Sequence, residues 1–259
     1  MSRILEAFKN KKAFIPFITC GDPNLEVTQK LVYEMANNGA DIIELGIPFS
    51  DPVAEGETIQ KSSMRALSSG ITTDDIFEMV KNIRKNTNVP LVFMTYANIV
   101  FSYGSEKFIS TAASIGVNGL ILPDVPYEES DEFAEICDKY NIDLISLIAP
   151  SSNERIKTIA ENAKGFIYCV SSLGVTGIRQ NITTDLKSIV SEIKKYTNIP
   201  VAIGFGISSP MQAKNMAEIS DGVIVGSAIV KLCEEYKENA PKYVGAYVKE
   251  MKDAIKNIK

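Results

Sequence analysis

The sequence of 259 residues contains no histidine. Catalytic systems that pair serine or cysteine with histidine are therefore excluded, and so are metal sites built on imidazole ligands. Any general acid–base catalysis in this chain must use the side chains of Asp, Glu, Tyr or Lys.

Cysteine is scarce and widely spaced. Cys20, Cys137, Cys169 and Cys233 lie far apart in the sequence, and no CxxC pair occurs. This spacing argues against a zinc site and against a disulfide framework, and we predict no bound metal. Three of the four occur in apolar or amphipathic runs, where packing is their ordinary role.

Long apolar runs and basic blocks are also missing. No segment approaches the roughly 20 apolar residues of a transmembrane helix, and the N-terminus lacks the apolar core of a signal peptide. The net charge of −5 is mild. Together these features argue against nucleic acid or a membrane as a partner and predict a cytoplasmic protein.

What the sequence does contain is a repeated alternation of apolar strands and amphipathic helices. Strands are predicted at 13–19, 41–46, 90–96, 119–122, 143–148, 166–170, 200–203 and 221–225. Uniformly apolar strands are typical of parallel sheets that are buried on both faces. Eight strand–helix units in about 250 residues predict an α/β fold, a (β/α)8 TIM barrel. We expect residues 1–259 to form a single domain with an extra N-terminal helix and a C-terminal helix.

The main alternative is an open, doubly wound sheet. That architecture usually has fewer strands or carries a nucleotide-binding fingerprint. The segment Gly204-Phe205-Gly206 resembles part of such a fingerprint, but Ser209 stands where its third glycine would be. A dinucleotide site is therefore not predicted.

The stretch from Asp41 to Gln60 carries the first candidate chemistry. Glu44 is embedded in a predicted strand, and Glu55 lies in the loop that follows. A buried, ionised Glu is costly without a partner, which favours a working site. The simpler alternative is a Glu that reaches solvent or pairs with a Lys. The second carboxylate on the adjoining loop favours proton chemistry.

Glycine-rich loops after the last predicted strands indicate an anion site. Gly206 allows backbone N–H groups to approach an anion closely. Gly226 and Ser227 begin a helix whose free amides and dipole favour negative charge. With Gly177 these residues predict a phosphate site, although they could also form only tight turns, with Ser227 as a helix cap. No predicted strand interior carries a lysine, which argues against an imine-forming aldolase.

Six motifs follow one another in a fixed order: ELGIPFSDP, MTYANIVF, ILPDVPYEES, VSSLGVTG, GFGISSP and DGVIVGSAIV. Together they resemble the α subunits of tryptophan synthase over nearly the whole chain. The resemblance implies a barrel that cleaves indole-3-glycerol phosphate to indole and glyceraldehyde 3-phosphate by a retro-aldol reaction, without a cofactor of its own. It also implies a β subunit that uses pyridoxal phosphate to join the indole to serine, in an α2β2 complex for tryptophan biosynthesis.

The resemblance also implies roles for individual residues. The implied catalytic residues are Glu44 as the main acid–base group, Glu55 at the indole nitrogen, and Tyr168. The residues implied to line the indole pocket are Phe17, Met94, Ile121, Thr176 and Phe205. Those implied to bind phosphate are Gly177, Gly206, Gly226 and Ser227. Those implied to meet the β subunit are Pro48, Asp51, Asn98, Asp124 and Pro126. The segment 171–183 corresponds to a lid.

One stretch departs from the family pattern. This chain has Glu55-Gly56-Glu57 where the family ordinarily has Asp-Gly-Pro. The Glu55 carboxylate extends about 1.5 Å further, one bond length, and a misplacement of about 1 Å can cost on the order of 100-fold in rate. Glu57 frees the loop backbone and adds a charge near an anionic substrate. We predict that Glu55 remains functional, on an adjusted loop or on one that the partner orders.

Three other functions are compatible with the sequence. The chain could be a stand-alone lyase that releases free indole. It could be another phosphate-binding barrel enzyme, such as an isomerase. It could also be a catalytically weak subunit that mainly activates the β subunit.

Overall fold

The apolar strand sequences form a parallel sheet that is buried almost throughout. The computed structural model describes residues 2–150, 153–170, 185–204 and 206–258. The strands in these ranges are β1 (Ala13–Thr19), β2 (Ile43–Gly46), β3 (Leu91–Met94), β4 (Gly119–Ile121), β5 (Asp143–Leu144), β6 (Ser146–Ile148), β7 (Ile167–Val170), β8 (Val201–Gly204) and β9 (Gly222–Val225). All except β5 and β6 are buried at every residue.

The sheet forms a nearly closed barrel. Its strand order is β5-β4-β3-β2-β1-β9-β8-β7-β6, and each hydrogen-bonded pair is parallel. The outermost strands, β5 and β6, are separated in the chain only by Ile145, whose N–H donates to the Leu120 carbonyl at 2.9 Å. The predicted fifth strand therefore pairs with β4 through its first half and with β7 through its second, which joins the two ends of the sheet. The predicted barrel is confirmed, with its fifth strand divided in two.

Helices follow the strands around the outside of the barrel. They are α1 (Arg3–Ala7), α2 (Leu25–Asn37), α3 (Glu57–Ser68), α4 (Thr73–Ile83), α5 (Ala97–Tyr103), α6 (Ser105–Ser114), α7 (Asp131–Tyr140), α8 (Asn153–Asn162), α9 (Leu186–Ile193), α10 (Pro210–Ala217), α11 (Ser227–Tyr236) and α12 (Ala240–Ile255). Short 3-10 helices lie at Tyr127–Glu129 and Lys237–Asn239. The helices predicted at the two ends of the chain are confirmed as α1 and α12.

Helix α5 was not predicted. Asn98, one of the residues implied to meet the β subunit, lies in the first turn of this helix. The helix has only seven residues and includes Ile99 and Val100, whose branched side chains weaken helix propensity. Tertiary contacts stabilise it instead. Val100 is fully buried, and the Asp124 carboxylate accepts hydrogen bonds from the Ala97 N–H.

The barrel has an interior core and an outer core between sheet and helices. Along β1, Ile15 and Phe17 belong to the inner cluster, whereas Phe14 and Ile18 belong to the outer one. This alternation follows from the period of two along a strand. Ile4 of α1 joins the inner cluster, so the N-terminal helix covers the end of the barrel at which the strands begin.

The C-terminal helix is attached to the same end of the barrel by a buried carboxylate. Asp41, just before β2, accepts from Lys252 of α12 at 2.6 Å, from Lys11 at 2.5 Å and from the Phe14 N–H at 2.8 Å. Lys252 also donates to the Lys12 carbonyl at 2.9 Å. One acidic side chain therefore holds together the start of β1, the start of β2 and helix α12.

The described residues form neither a membrane-spanning helix nor a cluster of metal ligands. Within the ranges described above, no helix is both long and apolar enough to cross a membrane. In the same ranges, no group of three or more Cys, Asp or Glu side chains is placed to hold a metal ion.

Candidate active site

Glu44 projects into the barrel from the middle of β2. Its neighbours Ile43 and Leu45 belong to the outer core, so alternation directs Glu44 to the interior. The residue is 1% exposed, and its Oε2 has no hydrogen-bond partner among the described residues. Burial, assisted by the negative charge of Glu55, raises the pKa of Glu44 to about 8. A carboxyl group in this state holds a proton near neutral pH and can donate it.

Glu55 lies in the loop between β2 and α3 and is also buried, at 6% exposed. Burial raises its pKa to about 7, and a hydrogen bond from the Tyr96 hydroxyl acts in the opposite direction. The negative charge of Glu55 contributes to the raised pKa of Glu44, so the two carboxyl groups lie near each other. Two carboxyl groups of raised pKa in one cavity are the pattern expected of an acid–base site.

Glu57 does not add charge to this space. It is the first residue of α3, its side chain is 79% exposed, and it pairs with Lys61 at 2.6 Å. An acidic residue in the first turn is also favourable to the helix dipole. The departure from the family pattern at this position is therefore accommodated at the surface.

Tyr168 lies on β7, inside the barrel, and is 7% exposed. Its pKa is raised well above the usual value by burial and by the charges of Glu44 and Glu55. The hydroxyl group therefore stays protonated. The ring packs against Gly204 of β8, where a Cβ would lie 2.5 Å from the tyrosine oxygen.

Replacing Gly204 by Ala is therefore expected to displace Tyr168. A contact of 2.5 Å cannot be tolerated, and overpacking of this kind costs about 1–3 kcal/mol of stability. We expect kcat/KM for substrate cleavage to fall by about 100-fold, the effect of a shift of about 1 Å in an active site. Steady-state kinetics and thermal unfolding would measure both effects. Gly245→Ala is the control, because on the outer helix α12 the added Cβ would meet the ends of the Asn38 and Glu34 side chains, at 2.9 and 3.1 Å, and should leave activity unchanged. Unchanged kinetics in Gly204→Ala would show that activity does not depend on the present position of Tyr168.

The described residues of the predicted indole pocket lie around the carboxylates. Phe17, Met94 and Ile121 all belong to the inner cluster, and Phe17 is the register partner of Glu44 on the neighbouring strand. The Phe17 ring lies over Gly46, where a Cβ would approach to 2.5 Å. Thr176 and Phe205 of the predicted pocket lie outside the described residues, as does the predicted lid at 171–183.

The predicted phosphate corner adjoins the same aromatic ring. Gly206 has φ +80°, the left-handed conformation that favours glycine. Gly226 precedes α11 without a side-chain cap, and Ser227 is buried in the first turn. A Cβ at Gly226 would lie 3.4 Å from Phe17. Phe17 is also the register partner of Glu44, so it lies between the start of α11 and that carboxyl group. Gly177 lies outside the described residues.

The predicted partner surface comprises the segments that follow β2, β3 and β4. Asp51, Asn98, Asp124 and Pro126 are exposed, whereas Pro48 is buried, so Pro48 shapes the loop and does not present its own side chain. The same segments expose two large apolar residues that the sequence analysis did not identify. These are Val53, at 75% exposed, and Phe101, at 48%.

Comparison with known proteins decides the family. The model of the family described as tryptophan synthase alpha chain matches residues 5–256. The chain belongs to the tryptophan synthase alpha chain family. It is 51% identical over 255 residues to the tryptophan synthase alpha chain of Lacticaseibacillus casei, covering 98% of this chain and 96% of that protein. It is 47% identical over 262 residues to that of Thermoanaerobacter sp. strain X514, covering 98% and 100%.

Solved structures in this family share the same fold. The crystal structure of the tryptophan synthase alpha chain from Legionella pneumophila subsp. pneumophila matches with a TM-score of 0.89 at 36% identity, covering 98% of this chain and 97% of that one. A structure of Mycobacterium tuberculosis tryptophan synthase matches with a TM-score of 0.90 at 33% identity, covering 98% of each chain. The predicted family and the predicted barrel are both confirmed.

Sequence reasoning missed Tyr96, which contacts the candidate site directly. It lies within the motif MTYANIVF, but the motif identified the family and gave the tyrosine no role. The hydrogen bond to Glu55 joins two segments about 40 residues apart, and no local pattern indicates such a contact.

Proposed function

We propose that this chain cleaves indole-3-glycerol phosphate to indole and glyceraldehyde 3-phosphate as the α subunit of a tryptophan synthase. The observation that carries the proposal is the pair of buried carboxyl groups, Glu44 and Glu55, with pKa values raised to about 8 and about 7. Membership of the tryptophan synthase alpha chain family supports the substrate and the lyase class.

Glu44 acts as both acid and base in the proposed mechanism. Its protonated carboxyl group donates a proton to C3 of the indole ring, which gives a cation delocalised to the ring nitrogen. The neighbouring glycerol hydroxyl then loses its proton to the Glu44 carboxylate. The bond between C3 and the glycerol carbon breaks, its electron pair returns to the ring, and the products are indole and an aldehyde. Glu44 gives one proton and regains one, so it ends the cycle unchanged.

Glu55 stabilises the cation during this reaction. Its carboxylate accepts a hydrogen bond from the ring N–H, where positive charge develops after protonation at C3. A preoriented charge acts strongly in a site that excludes water. Tyr168, which stays protonated, donates a hydrogen bond into the same space.

The remaining residues bind the two ends of the substrate. Phe17, Met94 and Ile121 give apolar walls suited to an aromatic bicycle, and we assign Thr176 and Phe205 to the same pocket. The phosphate is held by Gly206, Gly226, Ser227 and Gly177. The free amides and dipole at the start of α11 supply the attraction, so no basic side chain is required.

The proposal includes a β subunit that carries pyridoxal phosphate, in an α2β2 assembly. The cleavage reaction described above uses no cofactor bound to this chain. Support comes from the exposed Val53 and Phe101, which lie on the same two segments as the polar residues Asp51 and Asn98. Interfaces combine apolar centres with polar rims of this kind. A cytoplasmic location stays a prediction.

The decisive experiment measures indole release from indole-3-glycerol phosphate by the isolated chain and by the chain reconstituted with a tryptophan synthase β subunit. We expect slow release by the isolated chain and faster release in the complex. Equal, rapid release in both would favour a stand-alone lyase. No release in either, with normal activation of the β subunit, would favour a catalytically weak activating subunit.

A further inference from the structure

The side chain of Tyr96 lies between the rigid sheet and the catalytic loop. Its hydroxyl accepts a hydrogen bond from the Ala54 N–H at 3.1 Å and, with its own proton, donates to the Glu55 carboxylate. Its ring stacks on Phe49, with centroids 5.0 Å apart and planes at 29°. One side chain, only 2% exposed, therefore contacts both the beginning and the end of the loop that carries Glu55.

Tyr96 is itself held firmly from the opposite side. It follows β3, where the preceding Thr95 N–H donates to the Ile121 carbonyl at 3.1 Å. The next residue, Ala97, donates its N–H to both carboxylate oxygens of Asp124 at 3.1 Å. Residues 48–56 form neither helix nor strand. Tyr96 is thus held in place by the sheet, whereas Glu55 lies in a segment without regular secondary structure.

We propose that Tyr96 is the positioning residue for Glu55, and that its hydroxyl group holds the Glu55 carboxylate in one orientation. The inference rests on the proposed function of Glu55 at the ring nitrogen. A Glu side chain has one more rotatable bond than Asp and loses more conformational freedom when it is ordered. The hydroxyl group restricts that freedom, while Gln60 fixes the backbone by donating to the Glu55 carbonyl at 2.7 Å.

The test is a cycle of four proteins: wild type, Tyr96→Phe, Glu55→Asp and the double variant. Phenylalanine keeps the stacking on Phe49 and removes only the hydroxyl group. We expect Tyr96→Phe to lower kcat/KM for indole release by about 10- to 100-fold, which is the effect of losing a hydrogen bond to a charged group. The loss should appear mainly in kcat. In the Tyr96→Phe background, the change from Glu55 to Asp should have a much smaller effect than in the wild type. Additive effects would overturn the proposal.

Tyr103→Phe is the matched control. The Tyr103 hydroxyl also donates to a carboxylate, that of Asp74 at 2.5 Å, and it also belongs to the α5 region. Its carboxylate partner lies in α4, at the outside of the barrel. Loss of this hydroxyl should leave kcat/KM unchanged. An equal loss of activity in both tyrosine variants would assign the effect to α5 in general and not to Glu55.

A second measurement does not depend on catalysis. Because the Tyr96 hydroxyl lowers the pKa of Glu55, its removal should raise that pKa, as followed by carboxyl-carbon NMR titration of Glu55 in each variant. An unchanged titration in Tyr96→Phe would overturn the positioning role whatever reaction the protein performs. If the titration shifts but Glu55→Gln releases indole at the wild-type rate, the positioning role stands and the proposed function of Glu55 fails.

Discussion

Replacing Glu44 by Gln is expected to lower kcat/KM for indole release by about 10²- to 10⁴-fold, the range that general acid–base catalysis contributes. Glutamine has the shape of glutamic acid but can neither donate a proton to C3 nor accept the proton of the glycerol hydroxyl. It can occupy the same buried position on β2. Steady-state assays of the reconstituted complex measure the effect, and retention of more than about one tenth of the activity would exclude the assigned role.

Glu44→Gln should lower activity but raise the stability of the folded protein at alkaline pH. Burial raises the Glu44 pKa from its usual 4.5 to about 8, so the folded state prefers the protonated form. The resulting stabilisation of the fold is fully present below about pH 4.5, and it is lost as the pH rises through about 8. Glutamine stays neutral, so Glu44→Gln should unfold at a higher temperature than the wild type above pH 8. A lower unfolding temperature there would indicate general damage and make the kinetic result uninformative about proton transfer.

The dependence of activity on pH tests the roles of Glu44 and Glu55 together. The mechanism requires Glu55 ionised and Glu44 protonated. With pKa values of about 7 and about 8, kcat/KM of the wild type should be bell-shaped with a maximum between those values. The two limbs belong to the coupled pair and not to single residues. A flat profile between pH 6 and pH 9 would contradict the assignment.

The barrel could be predicted from sequence because one physical pattern decides it. Strands such as β1 and β9 are apolar at almost every position, and only a parallel sheet covered on both faces buries such strands. The division of the fifth strand at Ile145 could not be predicted in this way. Whether a strand pairs with one neighbour or with two depends on barrel closure, which is a property of the whole sheet.

The candidate site was predictable to the extent that its residues lie on strands. Glu44, Phe17 and Tyr168 face inward by simple alternation, and the resemblance to the family implied a role for each of them. The loop residues were harder, because their positions depend on contacts distant in sequence. The sequence alone did not show that Glu57 begins α3 with an exposed side chain that pairs with Lys61. No local sequence pattern predicted the contact between Glu55 and Tyr96 either.

Replacing Asp41 by Ala is expected to destabilise the protein more than any surface change, by about 3–5 kcal/mol, the cost of breaking a buried ion pair by removing one partner. Lys252, whose side chain is 15% exposed, would be left without its carboxylate, and the Phe14 N–H would lose its acceptor. Equilibrium unfolding in urea measures the loss. Glu26→Ala is the control, because it removes a pair of similar length, 2.7 Å to Lys30, from an exposed helix face and should change nothing measurable.

Activity should respond differently from stability in Asp41→Ala. Asp41 precedes β2, whereas the carboxylates and the start of α11 lie toward the opposite end of the barrel, where the strands end and where such barrels place their active sites. We therefore expect nearly normal kcat/KM at temperatures well below unfolding. A loss of stability below about 1 kcal/mol would show that Lys11 and Lys252 find other partners. A loss of activity without a loss of stability would show that the two ends of the barrel are coupled.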